Sequence, residues 1–426
     1  MPQRLVIIGA GMASGRMLEH LFAQAPEAFE VTLFNAEPRG TYNRLMLSPV
    51  LAGELSYAEI VTHDDAWYAR HNVTCRFGEW VTAIDRDGKR VIGTKGAVPY
   101  DRLVIATGST PYIPPLPGHD LPGVIAYRDV EDTDRMIGLG AGDKAVVIGG
   151  GLLGLEAAAG MAARGVEVTV VHRAGHLMNR QLDAPAADLL QQALEARGIT
   201  VVCNAQSQEI LADNKGQARA LRLADGSEFP CDLVLMAVGI VPSVGLARAA
   251  GLTVGQGVCV DDQLATSDPS IYALGECVEH RGAVFGLVAP LFDQAKVLAQ
   301  TLRDLPGSFV NKDVSAKLKV TGCDLFSAGD FSEAEGRDSI TFSDLRAGVY
   351  KRLVIENNRL IGAVIYGDTQ DGGWFFNLIR NGADVSALRD TLIFGPAYQG
   401  APKPESVATA QDHAPIEAPV LMEISA

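Results

Sequence analysis

Apolar and polar positions follow two rhythms along this chain. After Arg4, residues 5–8 form an unbroken apolar run, residues 17–22 repeat with helical spacing, and a second, largely apolar run fills 29–34. Short continuous runs bounded by glycine predict strands buried on both faces, and the spacing between them predicts a helix, so the chain opens on a βαβ unit. The same order returns at 144–148, 155–164 and 166–171. Strands are expected over 73–78, 80–84 and 90–94, grouped as a small meander, and over 101–105. A helix is expected over 183–197. Strands follow over 200–203 and 220–223, with Asp225 and Gly226 as a hairpin turn, then over 231–236. A short strand ends in Gly275 and Glu276, and residues 291–302 form a further helix. Beyond Phe309 the rhythm changes: strands are expected over 317–320, 339–342, 350–355 and 360–366. Asn357 and Asn358 make a hairpin turn, and a short helix over 373–380 carries Trp374, Phe375 and Phe376. From Ala401 the chain is rich in Ala, Pro, Glu and Thr without periodicity, which predicts a disordered tail.

The fold class that follows is α/β: two Rossmann-like units of the same kind, then an α+β domain. Five prolines between residues 111 and 122 mark a crossover linker. The expected boundaries are 1–115 with 238–306 for a discontinuous first domain, 116–237 for the second, 307–400 for the third and 401–426 for the tail. The stretch 231–242, an apolar strand leading to Gly239 and Pro242, echoes 103–111 and reads as the return crossover.

Both glycine-rich turns carry recognisable chemistry. Gly9 permits a tight strand-to-helix turn and Gly11 lets backbone approach a pyrophosphate, which meets the N–H groups of the following helix. Ser14 stands where the third glycine is expected. Glu37, at the end of the second strand, can accept hydrogen bonds from ribose hydroxyls. The second turn has all three glycines: Gly149, Gly151 and Gly154. Its second strand ends not in an acid but in His172 and Arg173, with Arg180 further on. That leans towards NADP or mixed use and leaves the nucleotide open. Tyr42, Asn43, Arg44 and Ser48 are placed to line a cofactor cleft.

Composition removes other classes. The net charge of −15 argues against a nucleic-acid partner. The six cysteines lie too far apart in sequence for a cluster or zinc motif; each is expected to be a buried structural thiol, and scattered thiols point to a reducing, cytoplasmic compartment. The first strand leaves no room for a signal peptide, and no apolar run suffices to span a membrane. His63, His71, His119, His172 and His176 show no ligand spacing, so no metal is expected.

Together these motifs resemble the FAD-dependent pyridine nucleotide oxidoreductases. The shared features are the two glycine turns, Glu37, Tyr42 to Arg44, Ala106 to Ser109, Ala237 to Pro242, and Tyr272 to Cys277. The stretches Leu177 to Asp183 and Leu318 to Gly329 look most like the flavin portion of NAD(P)H nitrite reductase large subunits and like electron-transfer subunits of assimilatory nitrate reductase. The resemblance covers residues 4 to about 400 and implies glutathione-reductase-type nucleotide-binding domains. FAD would lie on Gly9, Gly11, Met12, Ala13, Ser14, Glu37, Arg44, Ser48, Ala106, Thr107, Gly108, Gly275 and Glu276. NAD(P)H would lie on Gly149, Gly151, Leu152, Leu153, Gly154, His172, Arg173 and Gly239, with Glu156 near the nicotinamide. The implied activity is electron transfer from NAD(P)H through FAD to an iron–sulfur or other redox protein of nitrogen assimilation. Alternatives are a rubredoxin or ferredoxin reductase of a hydroxylase system, an NAD(P)H oxidase, or a redox-dependent binding module. Two departures matter. Residues 45–49 hold no cysteine pair, which removes dithiol chemistry, and Pro49 stands where rubredoxin-reductase relatives often carry lysine. The oligomeric state is left open.

Overall fold

The computed structural model describes residues 2–312, 316–320 and 322–398; the tail expected over 401–426 lies outside them. The chain divides into two units. One is made of Met1–Ile113, Arg128–Asp134 and Gly239–Lys312; the other holds Pro114–Tyr127, Arg135–Val238 and the described residues from 316 on.

The first unit is built on a five-stranded sheet in the order Ile271–Ala273, Arg102–Ile105, Gln3–Ile8, Phe29–Asn35, Thr74–Phe77. Every pairing is parallel. The apolar runs explain this: Leu5, Ile7, Leu33 and Val104 are buried in one core with Met17, Leu18 and Leu21 of the helix Met12–Gln24 and Leu298 of the helix Val288–Thr301. Strand order reverses at Gln3–Ile8: the chain runs outward through Phe29–Asn35 and Thr74–Phe77 on one side, then returns to Arg102–Ile105 and Ile271–Ala273 on the other. In an open parallel sheet such a reversal leaves a crevice at the strands' carboxyl ends.

The expected meander is corrected here. Thr74–Phe77 joins the parallel sheet beside Phe29–Asn35, and the antiparallel meander consists of Val81–Asp85, Arg90–Gly93 and Gly96–Pro99. Alternation shows that a segment is a strand but not which distant strand it pairs with. Ser109–Pro111 and Ile240–Pro242, the two echoing stretches, pair antiparallel as a ribbon.

The second unit repeats the design. Thr200–Val202, Glu167–Val171, Lys144–Ile148, Leu233–Met236 and Val124–Ala126 form a parallel sheet in that order, again reversing at the strand that precedes the glycine turn. The helix Leu152–Ala163 follows that turn, and Ala184–Glu195 follows its N-cap, Asp183. Ser207–Ala212, Ala218–Leu223 and Glu228–Pro230 add an antiparallel sheet.

The same unit contains a second five-stranded sheet, wholly antiparallel: Ala316–Val320, Cys323–Gly329, Arg359–Tyr366, Val349–Glu356, Arg337–Asp344. Asn357 and Asn358 turn its hairpin with φ of 51° and 60°. The helix Gly372–Asn381 covers one face, burying Phe375 against Phe326, Leu353 and Ile365. Asp183 ties this sheet to the nucleotide-binding part. It accepts from Ala186 N at 3.3 Å as a helix cap, and from Tyr350 Oη at 2.7 Å and Arg352 Nη1 at 3.3 Å.

None of the six cysteines is paired; Cys231, Cys277 and Cys323 are buried, whereas Cys75, Cys203 and Cys259 are only partly so, which corrects the expectation of burial for all. Among the described residues no helix is long and apolar enough to cross a membrane, and no group of three or more His, Cys, Asp or Glu could hold a metal ion.

Candidate functional site: two glycine-turn crevices

Four neighbouring strands of the first sheet deliver four of the sequence-predicted clusters, each at a carboxyl end. Gln3–Ile8 leads into Gly9, Phe29–Asn35 into Glu37, Arg102–Ile105 into Ala106 to Ser109, and Ile271–Ala273 into Gly275 and Glu276. Parallel pairing is what places them together, because all carboxyl ends then share one edge.

Gly9 has φ 111°, and a Cβ there would overlap the Ala106 carbonyl oxygen. Gly11 is the N-cap of the helix; it has no side-chain cap, and a Cβ would meet nothing within 4 Å. Protein packing therefore does not require glycine at 11. The open space, with uncapped helical N–H groups behind it, suits an anion. Met12 and Ala13 form the first turn. Ser14 is buried, and its Oγ lies 2.7 Å from Gly9 O and 2.9 Å from Gly11 O, sharing its proton between them. The hydroxyl thus closes the turn where a glycine was expected.

Glu37 is held by two residues of the loop that follows. Tyr42 Oη donates to it at 2.9 Å, and Arg44 forms an ion pair with it. Arg44 also stacks over the Tyr42 ring, 4.9 Å from its centroid, and donates to Arg128 O at 3.0 Å. Burial pushes the Tyr42 hydroxyl far above the usual phenol range, so it remains a donor. Ser48, which the local pattern also allows as a helix cap on a surface loop, is instead buried inside the short helix Leu47–Ala52; Asn43 caps the preceding turn Arg44–Met46 by accepting from Leu45 N.

At the far strand ends, Thr107 Oγ1 donates to Ser243 O at 2.8 Å. Gly108 lies against Arg128, whose Nη2 would be 3.3 Å from a Cβ at 108. The local pattern around Glu276 reads by itself as an exposed turn acid, and the structure corrects this. Glu276 is 16% exposed and accepts from Arg128 at 2.6 Å and Ser109 Oγ at 2.7 Å. Gly275 has φ 93°, donates its N–H to Gln294 Oε1 at 2.8 Å, and sits against Ala13. Gln294 is fully buried, and its Nε2 has no hydrogen-bond partner.

Sequence reasoning missed three of these residues. Arg128 and Asn35, which bonds Ala10 N at 3.5 Å and Arg39 O at 2.7 Å, carry no motif. Gln294 did carry a signal: it is a polar residue on the apolar stripe of Leu291, Ala295 and Leu298.

The second unit's crevice is tighter. Gly149 has φ 124°, and a Cβ there would overlap Ala237 O; a Cβ at Gly154 would overlap Gly149 O. Gly151 repeats Gly11 as an uncapped N-cap with open space around it. Leu152 is partly buried, Leu153 exposed and Glu156 partly buried on the following turn. His172 Nδ1 accepts from Gly150 N at 3.1 Å, and Nε2 faces Asn179 Oδ1 at 3.3 Å. Arg173 is exposed. Gly239 lies in the first unit, where its carbonyl accepts from Tyr112 N at 2.9 Å.

Residues 3–297 match the family model for pyridine nucleotide-disulphide oxidoreductase, and residues 315–383 that for the rubredoxin NAD+ reductase C-terminal domain. The chain is 43% identical over 413 residues to the NAD(P)H nitrite reductase of Bacillus subtilis strain 168, covering 96% of this chain and 51% of that one. It is 40% identical over 412 residues to the assimilatory nitrate reductase electron transfer subunit of the same organism, covering 95% and 53%. It thus spans about half the length of these relatives. Among solved structures, a covalent putidaredoxin reductase–putidaredoxin complex superposes with a TM-score of 0.80 at 25% identity, covering 90% of this chain and 94% of that one.

Proposed function

The chain belongs to the pyridine nucleotide-disulphide oxidoreductase family, and from that premise we propose an FAD-dependent NAD(P)H oxidoreductase that hands electrons to a separate redox centre. The carrying observation is the convergence of Gly9, Glu37, Thr107 and Glu276 at neighbouring strand ends of one parallel sheet. The residues present fit FAD. An uncapped helix with open space at Gly11 can take the diphosphate, Glu37 the adenosine ribose, and Glu276 the ribityl hydroxyls. The buried Gln294 Nε2 is a donor waiting for an acceptor, and an unmet buried donor costs roughly 1–3 kcal/mol. NAD(P)H would use the matching features of the second unit, the Gly149 turn and the uncapped Gly151 helix, with Glu156 on its second turn.

When bound, FAD supplies the exchange between two-electron hydride transfer and one-electron release. The chain's own residues bind and orient. Arg44 and Tyr42 fix the Glu37 carboxylate so that its remaining lone pairs have a set direction, and Arg128 with Ser109 does the same for Glu276. No side chain has to shuttle a thiol, since residues 45–49 contain no cysteine.

The similarity to nitrite and nitrate reductase components favours an iron–sulfur acceptor of nitrogen assimilation, with the chain acting in the cytoplasm. The match of residues 315–383 to a rubredoxin-reductase domain supports a rubredoxin-type or ferredoxin-type acceptor as a second reading. The test is stopped-flow reduction of the flavin-loaded protein by NADH and NADPH, then reoxidation by oxygen or by one-electron acceptors. Fast bleaching with fast reoxidation by an iron–sulfur acceptor is expected. Rapid turnover with oxygen alone would make it an oxidase. Glu37→Ala should release FAD on gel filtration; a variant that stays fully yellow overturns the seat assigned to the adenosine ribose.

A further inference from the structure

We propose that Asp183 is a positioning residue for the second unit's nucleotide seat. It latches the segment 172–182 to the C-terminal antiparallel sheet, and that segment sets the direction of a backbone N–H in the glycine turn. This deepens the reading of the Gly149 turn as the NAD(P)H seat and rests on it.

The segment grips the middle of the turn by both backbone groups of one residue. Gly150 N donates to His172 Nδ1 at 3.1 Å, and Gly150 O accepts from Met178 N at 2.8 Å. The second bond matters more. The carbonyl of Gly150 and the N–H of Gly151 belong to one planar trans peptide unit and point in opposite directions. Fixing the carbonyl therefore fixes the N–H of Gly151, the uncapped first residue of the crevice helix, with open space around it. The segment also packs directly on the turn: a Cβ at Gly150 would lie 2.6 Å from Leu177 Cδ2 and 2.9 Å from His172 Cγ.

Met178 is held in its turn. It is buried between the buried Leu177 and Leu182 and has a φ of 52°, a left-handed conformation that a residue other than glycine keeps only when its surroundings impose it. Its carbonyl accepts from Gln181 N at 2.7 Å and Leu182 N at 2.9 Å, closing one turn, and Asp183 is the next residue. The two oxygens of Asp183 have separate tasks. Oδ1 caps the helix Ala184–Glu195 at Ala186 N, while Oδ2 accepts from Tyr350 Oη at 2.7 Å and Arg352 Nη1 at 3.3 Å. Tyr350 and Arg352 belong to the strand Val349–Glu356 of the C-terminal sheet. The same helix meets that sheet again where Tyr366 Oη lies 3.4 Å from Leu189 O. An unbroken series of bonds thus runs from Tyr350 and Arg352 through Asp183 and Met178 to the Gly150–Gly151 peptide. Asp183 acts on the seat without needing to touch the nucleotide. Because coupling between binding events is reciprocal, a bound nucleotide should in return steady the strand Val349–Glu356.

The test cuts the latch from the sheet side, so that Asp183 keeps its helix cap: Tyr350→Phe combined with Arg352→Gln. Calorimetric titration of the oxidised, FAD-loaded protein with NAD+ and with NADP+ avoids turnover and reads binding alone. The double variant should bind both about fivefold to tenfold more weakly, and by the same factor, because the diphosphate is common to them. Asp183→Asn, which keeps a cap and an acceptor for Tyr350, should lose less. Saturating nucleotide should slow hydrogen exchange in Val349–Glu356 of the wild type but not of the double variant. FAD content should be unchanged. Wild-type nucleotide affinity in the double variant, whatever its Tm, overturns the inference and leaves Asp183 a structural contact. So does loss of FAD in step with the nucleotide, which would report general loosening. If the wild type binds neither nucleotide, the nucleotide-seat reading itself fails and takes the inference with it.

Discussion

Gly154→Ala tests the packing of the second crevice directly. Gly154 is the third residue of the helix Leu152–Ala163. An added Cβ would overlap Gly149 O, a backbone atom of the turn, and lie 3.2 Å from Ala237 Cβ. Neither neighbour is the end of a flexible side chain, so the turn or the helix must retreat. Overpacking of this kind costs about 1–3 kcal/mol, while alanine returns up to about 1 kcal/mol of helix propensity. The net loss of up to about 2 kcal/mol lowers Tm by roughly 2–4 °C per kcal/mol for a unit of this size. The larger effect falls on binding: the turn that must move is the one offering its N–H groups to the diphosphate, so nucleotide affinity should drop at least about tenfold. FAD retention should be unaffected, because Gly9 and Ser14 form a separate turn. The mirror change, Ser14→Gly, removes a hydroxyl bonded to Gly9 O and Gly11 O and should cost about 1–2 kcal/mol without a clash. Differential scanning fluorimetry and NADP+ titration read both variants. Gly154→Ala with wild-type affinity and wild-type Tm would refute the steric argument.

Asp183→Ala should lower stability in urea by about 2–4 kcal/mol, because it takes the acceptor from Tyr350, leaves the largely buried Arg352 only Glu333 at 3.6 Å, and uncaps a helix; a loss under about 0.5 kcal/mol would show that Asp183 does not anchor the C-terminal sheet. Burial pushes the Cys231 thiol up to about 12. The unfolded chain therefore loses this proton first as pH rises. Stability is complete below the ordinary thiol value and declines by up to about 1.4 kcal/mol per pH unit between there and pH 12. Chemical denaturation from pH 7 to 10.5 should show a shallower alkaline decline in Cys231→Ala, and an unchanged slope would contradict the burial argument.

The repeated rhythm of apolar run, glycine turn and helix was legible because each part is local. Glu37 and Glu276 can be placed at strand ends in the same way, but the local pattern reads Glu276 as an exposed acid, and only folding shows it held by Arg128 and Ser109. What pairs across long separations was not legible. Thr74–Phe77 reads from sequence as part of the meander because its partner Phe29–Asn35 lies far back in the chain. Val124–Ala126 and Ser207–Ala212 went unseen, the first too short and the second too polar to stand out. The partners that orient the two carboxylates were partly hidden for the same reason. Arg128 follows a proline-rich stretch with no motif, and only folding brings its guanidinium to Glu276. Ser14 looked like a weakened glycine fingerprint. The structure shows a hydroxyl closing the turn, a geometry that spacing alone cannot reveal.

The first sheet's strand order also constrains how the protein is made. Arg102–Ile105 gains its outer neighbour only with Ile271–Ala273, and Gly275, Glu276 and Gln294 follow that strand. On the ribosome, the parallel sheet of the second unit has all its strands by Met236, while the first still has an unpaired backbone edge. The parallel sheet begun first is therefore completed after the one inserted within it, and its cofactor seat cannot be complete until that insert has been synthesised. A nascent chain arrested before Ile271 should expose that edge, a template for wrong pairing, and should fail to retain flavin.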